Sequence, residues 1–397
     1  MKQSHYICHF FRNCLAAILF LAAPCSYADN QPIPTELLRK FVNIYGFIHA
    51  DYVNEVDDKK LFEACYGSML KSLDGRSAYI DAELFKELQT REHSVDASIG
   101  INLHSRAGLP YIIGIFDDSP ASRAGLKIKD YILAIDDEST EEMDISQVGK
   151  KLRGPHGSTV HLKVRRYGEI EERSLSLIRE KADTRGAKSA LLAKDIAYIR
   201  INEFSSKIVV DTVAAFKDLS VRNKSALKGL ILDLRDSPGG ILPASAEIAA
   251  LFLQNEKLIY SSRGRMPEAN SEVYAKRSDF KSDYEGSYSG EWPAAMATLP
   301  VVVLVNEGTA SGAEIVAAAL KEHRRGLLIG RKTLGLGSIQ TIRRVSPDTA
   351  AKLTTAYFTT PEGNRIQGNG VMPDRLIVGE NNEAWISAAM AALKTGK

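Results

Sequence analysis

Ser311 has the sequence surroundings of a reactive hydroxyl. It lies in the run Gly308-Thr309-Ala310-Ser311-Gly312-Ala313-Glu314, after the apolar stretch Val301–Val305 and before a predicted helix over Ala313–Glu322. A side chain at a helix N-terminus faces the positive end of the helix dipole, which favours developing negative charge. Serine and threonine are also common helix N-caps, so position alone leaves nucleophile and cap as equal alternatives.

A second run could supply hydrogen-bond donors for such a nucleophile. Leu232-Asp233-Leu234-Arg235-Asp236-Ser237-Pro238-Gly239-Gly240 is an apolar strand that ends in a glycine pair. Glycines let the backbone approach a ligand closely and direct N–H groups at it, as in an oxyanion hole. Glycines at strand ends are common, so this run gains meaning only together with Ser311.

No residue near Ser311 in the sequence is an obvious base. A serine hydroxyl is a weak nucleophile at neutral pH unless an adjacent group accepts its proton. His323 is twelve residues further along the predicted helix, which places it about 18 Å away at the rise of an α-helix. The chain has no His-Glu-x-x-His or Cys-x-x-Cys pattern, so the sequence predicts neither a metal site nor a cofactor.

The elements around Ser311 alternate in type. Predicted strands at Ile196–Ile201, Gly229–Leu234, Pro300–Val305 and Gly326–Ile329 alternate with predicted helices at Val209–Leu219, Ala244–Leu253 and Ala313–Glu322. Such alternation indicates an α/β layer with a mainly parallel sheet. Residues 34–89 have helical periodicity, and residues 97–180 contain short strands with one helix over Ile145–Leu152. The polar segment Ser262–Trp292 is predicted to be a long surface loop.

Three runs in the strand-rich segment occur in a recognisable order. They are Ser98-Ile99-Gly100-Ile101-Asn102-Leu103, Ser119-Pro120-Ala121-Ser122-Arg123-Ala124-Gly125-Leu126 and Asp130-Tyr131-Ile132-Leu133-Ala134-Ile135-Asp136. Together they resemble a PDZ domain, which binds C-terminal tails by adding them as a strand, and this implies a substrate-binding groove at Ile99, Gly100, Ile101 and Leu103. Lys129 and Asp137 stand where that family usually has glycine, which predicts altered turns. A PDZ domain used only for packing is the alternative.

The order of all the motifs is more specific than any one of them. The PDZ-like segment is followed by Asp233–Gly240, Gly308–Ser311, Gly335–Gln340, Lys352–Ala356 and Ile366–Gly368. This order closely resembles that of the C-terminal-processing, or tail-specific, serine peptidases. Asp51-Tyr52-Val53 and Ser72-Leu73-Asp74 extend the resemblance over nearly the whole mature chain.

The resemblance implies a Ser/Lys dyad, in which an unprotonated lysine takes the serine proton and a glutamine four residues later orients the lysine. It assigns the nucleophile to Ser311, the orienting residue to Gln340 and the oxyanion donors to the backbone N–H groups of Gly239 and Gly312. The lysine position, 25 residues after the serine, is Leu336. Leucine cannot accept a proton, and loss of the base should cost on the order of 10⁴ in rate.

Lys332 is the nearest substitute for the missing base. Four extended residues span roughly 13 Å, so only a sharp bend at Gly335 would bring its amine to Ser311.

Three hypotheses remain open. The chain is a peptidase-like protein that binds apolar C-terminal tails with impaired or absent proteolysis, an active serine endopeptidase that uses Lys332, or a non-catalytic PDZ scaffold or regulator of an active relative.

The first 28 residues have the pattern of a secretory signal. Lys2 and Arg12 precede the apolar run Leu15–Ala23, and Ser26-Tyr27-Ala28 ends in small residues before Asp29. The apolar run is too short to span a bilayer. We therefore expect cleavage after Ala28 and export to the periplasm, with a lipid anchor at Cys25 as the alternative.

The sequence thus predicts a multidomain chain of α+β and α/β class. The predicted segments are a signal peptide over 1–28, a helical N-terminal arm over 29–93, a PDZ-like β domain over 94–182, an α/β serine peptidase core over 183–380 and a C-terminal helix over 381–397. Cleavage leaves Cys65 as the one cysteine of the mature chain, so no internal disulfide is expected.

Charge narrows the choice of partner. The chain has 51 Lys plus Arg and 49 Asp plus Glu, and removal of Lys2 and Arg12 brings the formal charge to zero. A neutral chain does not favour nucleic acid or an anionic membrane surface. The expected partners are proteins with apolar C-terminal tails and further copies of the chain assembled through the helical arm. No integral membrane segment is expected after removal of the signal.

Overall fold

The computed structural model describes residues 34–90, 97–106, 108–116, 118–141, 143–181, 187–192, 195–223, 225–253, 256–280, 287–379 and 381–395. The predicted signal peptide lies outside these residues. Contacts divide the described chain into two compact units. The larger unit contains the described residues from 97 to 339 and from 355 to 395, and the smaller unit contains residues 34–90 and 340–354.

The N-terminal elements are mostly helical, as predicted. They are α1 (Thr35–Asp51), α2 (Asp58–Lys71), β1 (Ala78–Ile80) and α3 (Ala82–Thr90). The PDZ-like segment follows with β2 (Ile101–Arg106), β3 (Leu109–Ile115), α4 (Pro120–Arg123), β4 (Tyr131–Ile135), β5 (Glu138–Ser139), α5 (Ile145–Leu152), β6 (Thr159–Arg165) and β7 (Glu172–Ile178).

The remaining elements form an alternating α/β series. They are β8 (Ala187–Leu192), β9 (Ile196–Ile201), α6 (Ile208–Arg222), β10 (Gly229–Asp233), α7 (Leu242–Phe252), β11 (Leu258–Gly264), a 3₁₀ turn (Pro267–Ala269), β12 (Ser271–Tyr274), α8 (Arg277–Phe280), α9 (Ala294–Thr298), β13 (Val301–Val305), α10 (Gly312–Glu322), β14 (Gly326–Gly330), β15 (Ser338–Arg344), β16 (Ala350–Thr359), β17 (Arg375–Leu376) and α11 (Asn382–Thr395).

In the smaller unit, α1 and α2 form a hairpin held by aromatic and polar contacts. The Phe62 ring lies 5.9 Å from that of Phe41 and 5.5 Å from that of Tyr45, measured between centroids. The Tyr45 hydroxyl and the His49 Nε2 both hydrogen-bond Asp58 Oδ1, at 3.0 and 2.7 Å. No residue of α1 or α2 is buried, so the hairpin makes no core of its own.

The PDZ-like segment is an antiparallel sheet in the order β2-β3-β4-β6-β7, with β5 paired to β4. Strand β6 alternates exposed and buried residues, as expected for a sheet with one face against a core. Helix α5 packs beside β2 and β4, and its N-terminus has a capping box formed by Asp144 and Gln147. The sheet leaves β2 at an edge, where an added strand could pair.

The turns at Lys129 and Asp137 differ from the prediction. Both residues adopt the left-handed backbone that glycine favours, with φ of 75° and 68°. The prediction of altered turns is therefore wrong, because the chain keeps a glycine-like conformation at a cost of about 1–3 kcal/mol per residue. Surrounding structure supports this strain at Lys129, whose backbone N–H donates to the carbonyl of Ile112 at 2.8 Å.

The core sheet has the order β17-β14-β13-β10-β9-β8. Neighbours from β17 to β9 are parallel, and β8 is antiparallel to β9. In β10, Leu230 and Leu232 face the apolar cluster that contains α6, α7 and α10, whereas Ile231 faces the cluster that contains α11. The alternation places helices on both faces of the sheet and confirms the predicted α/β core.

The segment Ser262–Trp292 is not the long loop that its polarity suggested. It includes the end of β11, the strand β12 and the helix α8. Ser262 is buried, and its hydroxyl is satisfied by the Ala269 carbonyl at 2.7 Å and by Ser271 Oγ at 2.8 Å. The loop prediction is wrong because these hydroxyls bond inside the structure and let a polar stretch form strands.

Among the described residues, no helix combines the length and the apolar character that a membrane crossing requires.

Candidate active site

Ser311 lies on a strained turn between β13 and α10. Its backbone has φ 52° and ψ −120°, a conformation that residues with a side chain rarely adopt and that costs about 1–3 kcal/mol. A sharp, strained turn from a strand into a helix presents a serine hydroxyl at the top of a sheet. Ser311 is half-buried, whereas the helix residues after it, from Gly312 to Leu320, are buried.

Gly239 and Gly312 come together beside Ser311. A Cβ atom on Gly239 would lie 2.6 Å from the Gly312 nitrogen and 2.8 Å from the Ser311 Cβ, and Gly239 has φ 88°. Glycine is required there by both the contact and the backbone conformation. Within the described part of the chain, neither Gly239 N–H nor Gly312 N–H donates a hydrogen bond to another residue. The backbone of Gly239 therefore lies directly against Gly312 and Ser311.

A second close approach holds Gly312 in place. A Cβ atom on Gly312 would lie 2.0 Å from Ser245 Oγ on α7. Ser245 is fully buried, and its hydroxyl donates to the Ile241 carbonyl at 3.1 Å. The contact of α7 with α10 therefore fixes the first turn of the helix that begins after Ser311.

Glu314 joins the Ser311 turn to the segment that carries Leu336. Its fully buried carboxylate accepts hydrogen bonds from Ser311 N at 2.9 Å, Leu336 N at 2.7 Å and Gly335 N at 2.7 Å, and from the Thr333 hydroxyl. Ser311 and Leu336 donate to the same oxygen, so their backbone nitrogens lie less than about 6 Å apart. The structure thus brings position 336 next to the candidate nucleophile.

The side chain at that position is apolar and enclosed. Leu336 is 5% exposed, and the glycines on either side make close backbone contacts. A Cβ atom on Gly335 would lie 2.9 Å from the Gly370 nitrogen, and one on Gly337 would lie 2.4 Å from the Gln367 nitrogen. The segment is therefore held by its backbone, whatever side chain position 336 carries.

Lys332 is placed differently from Leu336. Lys332 is exposed, and Thr333 directly after it is buried against Glu314. The bend at Gly335 that the alternative base would need does exist, since Gly335 has φ 87°. His323, at the C-terminus of α10, uses its Nε2 in a 2.7 Å contact with the Leu258 carbonyl.

Gln340 lies in the smaller unit, on β15. Its Nε2 donates to Thr354 Oγ1 at 3.2 Å. The structure thus groups Gln340 with residues of β16, and it groups Gly239, Gly312 and Leu336 with Ser311 in the larger unit.

The residues predicted for tail binding lie at the edge strand β2 and just before it. Ile99 is fully buried in the PDZ-like core, and its carbonyl accepts from Ala121 N at 2.9 Å. Gly100 has φ 78°, while Ile101 and Leu103 are half-buried against the same core. Ile99 can therefore support the groove but cannot contact a tail with its side chain.

The PDZ-like segment also contacts the turn that precedes Ser311. A Cβ atom on Gly308 would lie 2.6 Å from the Ile128 side chain. Glu307 Oε1 lies 3.6 Å from Lys129 Nζ and 3.6 Å from Arg331 Nη1. These contacts link the edge of the PDZ-like segment to both segments that frame Ser311.

Sequence reasoning missed Glu314, Thr333 and Ser245. A glutamate three residues after a serine N-cap is the signature of a capping box, so the hydrogen bond of Glu314 to the Ser311 backbone was predictable from the sequence. Its bonds to residues 333–336 depend on tertiary packing and have no local signal.

We expect Glu314 to make stability depend on pH. Burial raises the pKa of Glu314 to about 7, although bonds from Thr333 and from backbone amides oppose the shift. Because the pKa is higher in the folded state, the protonated Glu314 contributes fully to the free energy of unfolding below the unfolded-state pKa. That free energy should fall by about 3 kcal/mol as the pH rises to about 7. The midpoint temperature of thermal unfolding should therefore fall less between pH 4.5 and 7 in Glu314→Gln than in the unaltered protein. Equal slopes would contradict the assignment, and exposed Glu383→Gln serves as the control.

The chain is similar to known proteins over most of its length. The profile of peptidase family S41 matches residues 195–377, and that of the PDZ domain matches residues 114–166. Among solved structures, a photosystem II D1 C-terminal processing protease superposes with a TM-score of 0.68 at 24% identity, over 85% of this chain and 86% of that chain. That likeness establishes the fold.

Two curated relatives establish more than the fold. A carboxy-terminal-processing protease of Bartonella bacilliformis is 33% identical over 364 residues, which are 91% of this chain and 80% of that protein. The carboxy-terminal processing protease CtpA of Bacillus subtilis is 31% identical over 361 residues, 90% of this chain and 73% of that protein. At these identities and coverages, and with both profile matches, the chain belongs to the carboxy-terminal-processing proteases of peptidase family S41.

Proposed function

We propose that this chain is an exported family member that binds proteins with apolar C-terminal tails and whose proteolytic activity is impaired or lost. The observation that carries the proposal is the enclosed Leu336, whose backbone amide lies within about 6 Å of that of Ser311. Ser311 is the proposed nucleophile, and Gly239 and Gly312 are the proposed oxyanion donors. Gln340 is the proposed orienting residue.

The impairment follows from proton transfer. A serine hydroxyl needs an adjacent acceptor for its proton, and leucine has none. Glu314 is close, but its carboxylate oxygens already accept four hydrogen bonds that fix the turn. What remains is an oxyanion hole and a binding surface, which leave a residual rate on the order of 10⁻⁴ of a complete dyad.

An active endopeptidase with Lys332 as its base is the second candidate. The bend at Gly335 favours it, and the exposure of Lys332 opposes it. In that case, activity of the unaltered chain would depend on Lys332 and would show a titrating amine in its pH profile.

Export is proposed from the leader pattern alone. The basic residues, the short apolar run and Ser26-Tyr27-Ala28 support cleavage after Ala28 and a periplasmic location. Mass determination of the N-terminus of the protein from a periplasmic fraction tests both points.

Restoring the base should restore cleavage. We expect Leu336→Lys to cut an unstructured protein with an apolar C-terminus on the order of 10³–10⁴ times faster than the unaltered chain. Leu336→Met keeps the volume without a proton acceptor and should stay inactive, as should Leu336→Lys combined with Ser311→Ala. The proposal is refuted if the unaltered chain cleaves rapidly and Ser311→Ala abolishes that cleavage. If Lys332→Ala also abolishes it, the second candidate is established.

Tail binding should require a free carboxylate but not the nucleophile. The edge strand β2 can pair with an added peptide strand, and the proposed place of its terminal carboxylate is the backbone turn at Gly100, just before β2. In calorimetry, a peptide with an apolar, free C-terminus should bind at least about tenfold more tightly than its C-terminal amide. Ser311→Ala should bind the peptide equally well. Ile101→Ala should weaken binding, whereas Ile170→Ala, at a residue that is 95% exposed, should leave it unchanged. Equal affinity for acid and amide would argue against the groove.

Assembly through the arm is proposed from its exposed apolar side chains. In α1, Leu37, Val42, Ile44 and Phe47 are 58–63% exposed, and in α2 Met69 is 68% exposed. Exposed apolar side chains such as Leu37, Ile44 and Phe47, which fall on one side of α1 at helical spacing, support an interaction site, and the partner proposed for it is a second copy of the same hairpin in a two-fold arrangement. The scaffold or regulator alternative uses the same surface to join an active relative.

Sedimentation should detect the assembly. We expect the unaltered chain to sediment as a dimer and Leu37→Glu with Phe47→Glu to sediment as a monomer, because buried charge opposes association. Val221→Glu on α6, also strongly exposed at 81%, controls for added charge outside the arm. A monomeric unaltered chain at micromolar concentration would rule out self-assembly.

A further inference from the structure

Residues 234–240, which we call the glycine loop, are hydrogen-bonded to the turn that carries Ser311. The Ala310 N–H donates to the Ser237 carbonyl at 2.8 Å. Gly239 follows two residues after Ser237, and its backbone lies against Ser311. Because so few residues separate this bond from Gly239, contacts between the glycine loop and the turn decide where the Gly239 amide lies relative to Ser311.

Thr309 adds a side-chain contact between the same two segments. It is fully buried, and its hydroxyl donates to the Leu234 carbonyl at 2.8 Å. That carbonyl also accepts from the Ser237 N–H at 3.3 Å, so it closes the turn that leads to Gly239. The Thr309 hydroxyl therefore bonds the glycine loop at the point where the loop leaves β10.

The direction of the bonds at the Thr309 hydroxyl follows from its partners. A backbone carbonyl can only accept, and a backbone N–H can only donate. The one proton of Thr309 Oγ1 therefore goes to the Leu234 carbonyl, and a lone pair of the same oxygen accepts from the Asn306 N–H at 3.0 Å. A side chain of the same shape without a hydroxyl would break both bonds.

The backbone of Thr309 contacts the third segment of the candidate site. Its carbonyl accepts from the Leu334 N–H at 3.0 Å, two residues before Leu336. Thr309 thus bonds the glycine loop through its side chain and the Leu336 segment through its main chain, and it precedes Ser311 by two residues. The two contacts are separable, because a substitution of the side chain leaves the carbonyl in place.

We propose that Thr309 is a positioning residue whose hydroxyl sets the glycine loop against Ser311 and thereby places the Gly239 amide. The proposal rests on the proposed role of Gly239 as an oxyanion donor and names the group that holds this donor. Such donors act only when they are held within about 3 Å of the developing charge. If the Thr309 hydroxyl merely stabilised the core, its loss would weaken the fold generally and not this one contact.

Amide hydrogen exchange of the full chain, followed by NMR, tests the proposal without any need for activity. Thr309→Val keeps the shape of the side chain and removes the hydroxyl. The Ala310 N–H and the Asp236 N–H, which donates to Asn306 Oδ1 at 2.9 Å, should then exchange about tenfold faster, because both bonds join the glycine loop to the turn. The Leu334 N–H should keep its rate, since its acceptor is the main-chain carbonyl of position 309.

Three matched variants complete the exchange experiment. Thr309→Ser keeps the hydroxyl and should keep the rates of the unaltered chain. Thr309→Cys has a weak donor and should give about threefold acceleration at the same two amides, which keeps the test decisive if Thr309→Val does not fold. Thr212 on α6 is fully buried, but its hydroxyl has no hydrogen-bond partner among the described residues, so Thr212→Val should change none of the rates.

Two results of the exchange experiment would overturn the proposal. One is that the Ala310 and Asp236 amides exchange in Thr309→Val and Thr309→Cys as slowly as in the unaltered chain. The other is that the Leu334 amide is accelerated as much as those two, which would mean a general loss of stability.

A kinetic measurement separates this inference from the proposed function. In the Leu336→Lys protein, Thr309→Val should lower kcat on the order of 10²-fold with KM unchanged, because a displaced oxyanion donor weakens binding of the transition state and not of the substrate. Thr309→Ser should restore the rate, and Thr212→Val should leave it unchanged. An unaltered kcat in Thr309→Val would overturn the proposal. If Leu336→Lys does not cleave at all, the dyad assignment fails, and the exchange rates still decide the role of Thr309.

Discussion

The buried carboxylate of Glu314 is the contact on which the candidate site depends. It accepts from Ser311 N on one side and from Gly335 N and Leu336 N on the other, so two segments separated in sequence are held by one side chain. The strained Ser311 backbone persists because this bond and the packing of α7 against α10 over-determine it.

The same arrangement explains how position 336 could carry leucine while the site remains formed. The segment is held through backbone amides and through Thr333, and none of these bonds uses the side chain of Leu336. The proposed loss of the base would therefore remove chemistry without removing architecture. The close approach of Gly239 to Gly312, the Ser311 turn and the contacts of Ile128 and Lys129 with the preceding turn are all present beside Leu336. A fold of this kind can keep a binding function after catalysis is weakened.

Much of the fold was predictable because its signals are local. The apolar run Val301–Val305 and the alanine-rich segment after Ser311 fix a strand and a helix by composition and period. The resemblance to tail-specific peptidases supplied the assignments of Gly239, Leu336 and Gln340, which spacing alone could not. The polar segment from Ser262 was misread because its hydroxyls find partners only in the folded chain.

What the sequence could not supply are contacts between distant segments. Glu314 is a recognisable capping residue, but its bonds to residues 333–336 exist only in three dimensions. The same holds for the hydrogen bonds that Ser77 makes with the Thr354 backbone and that Gln340 makes with the Thr354 hydroxyl. The left-handed backbone at Lys129 and Asp137 was missed for a related reason, since surrounding structure can impose a conformation that local preference disfavours.

The central claim is that Ser311 keeps its setting but lacks a proton acceptor, and its direct test is the reactivity of that one hydroxyl. Intact-protein mass spectrometry follows the rate at which a small fluorophosphonate modifies Ser311 in the unaltered chain and in Leu336→Lys, with Ser311→Ala as the blank. The account predicts slow modification of the unaltered chain and a rate on the order of 10² or more higher in Leu336→Lys. Equal and rapid modification of both proteins would show that another group already activates Ser311 and would contradict the account.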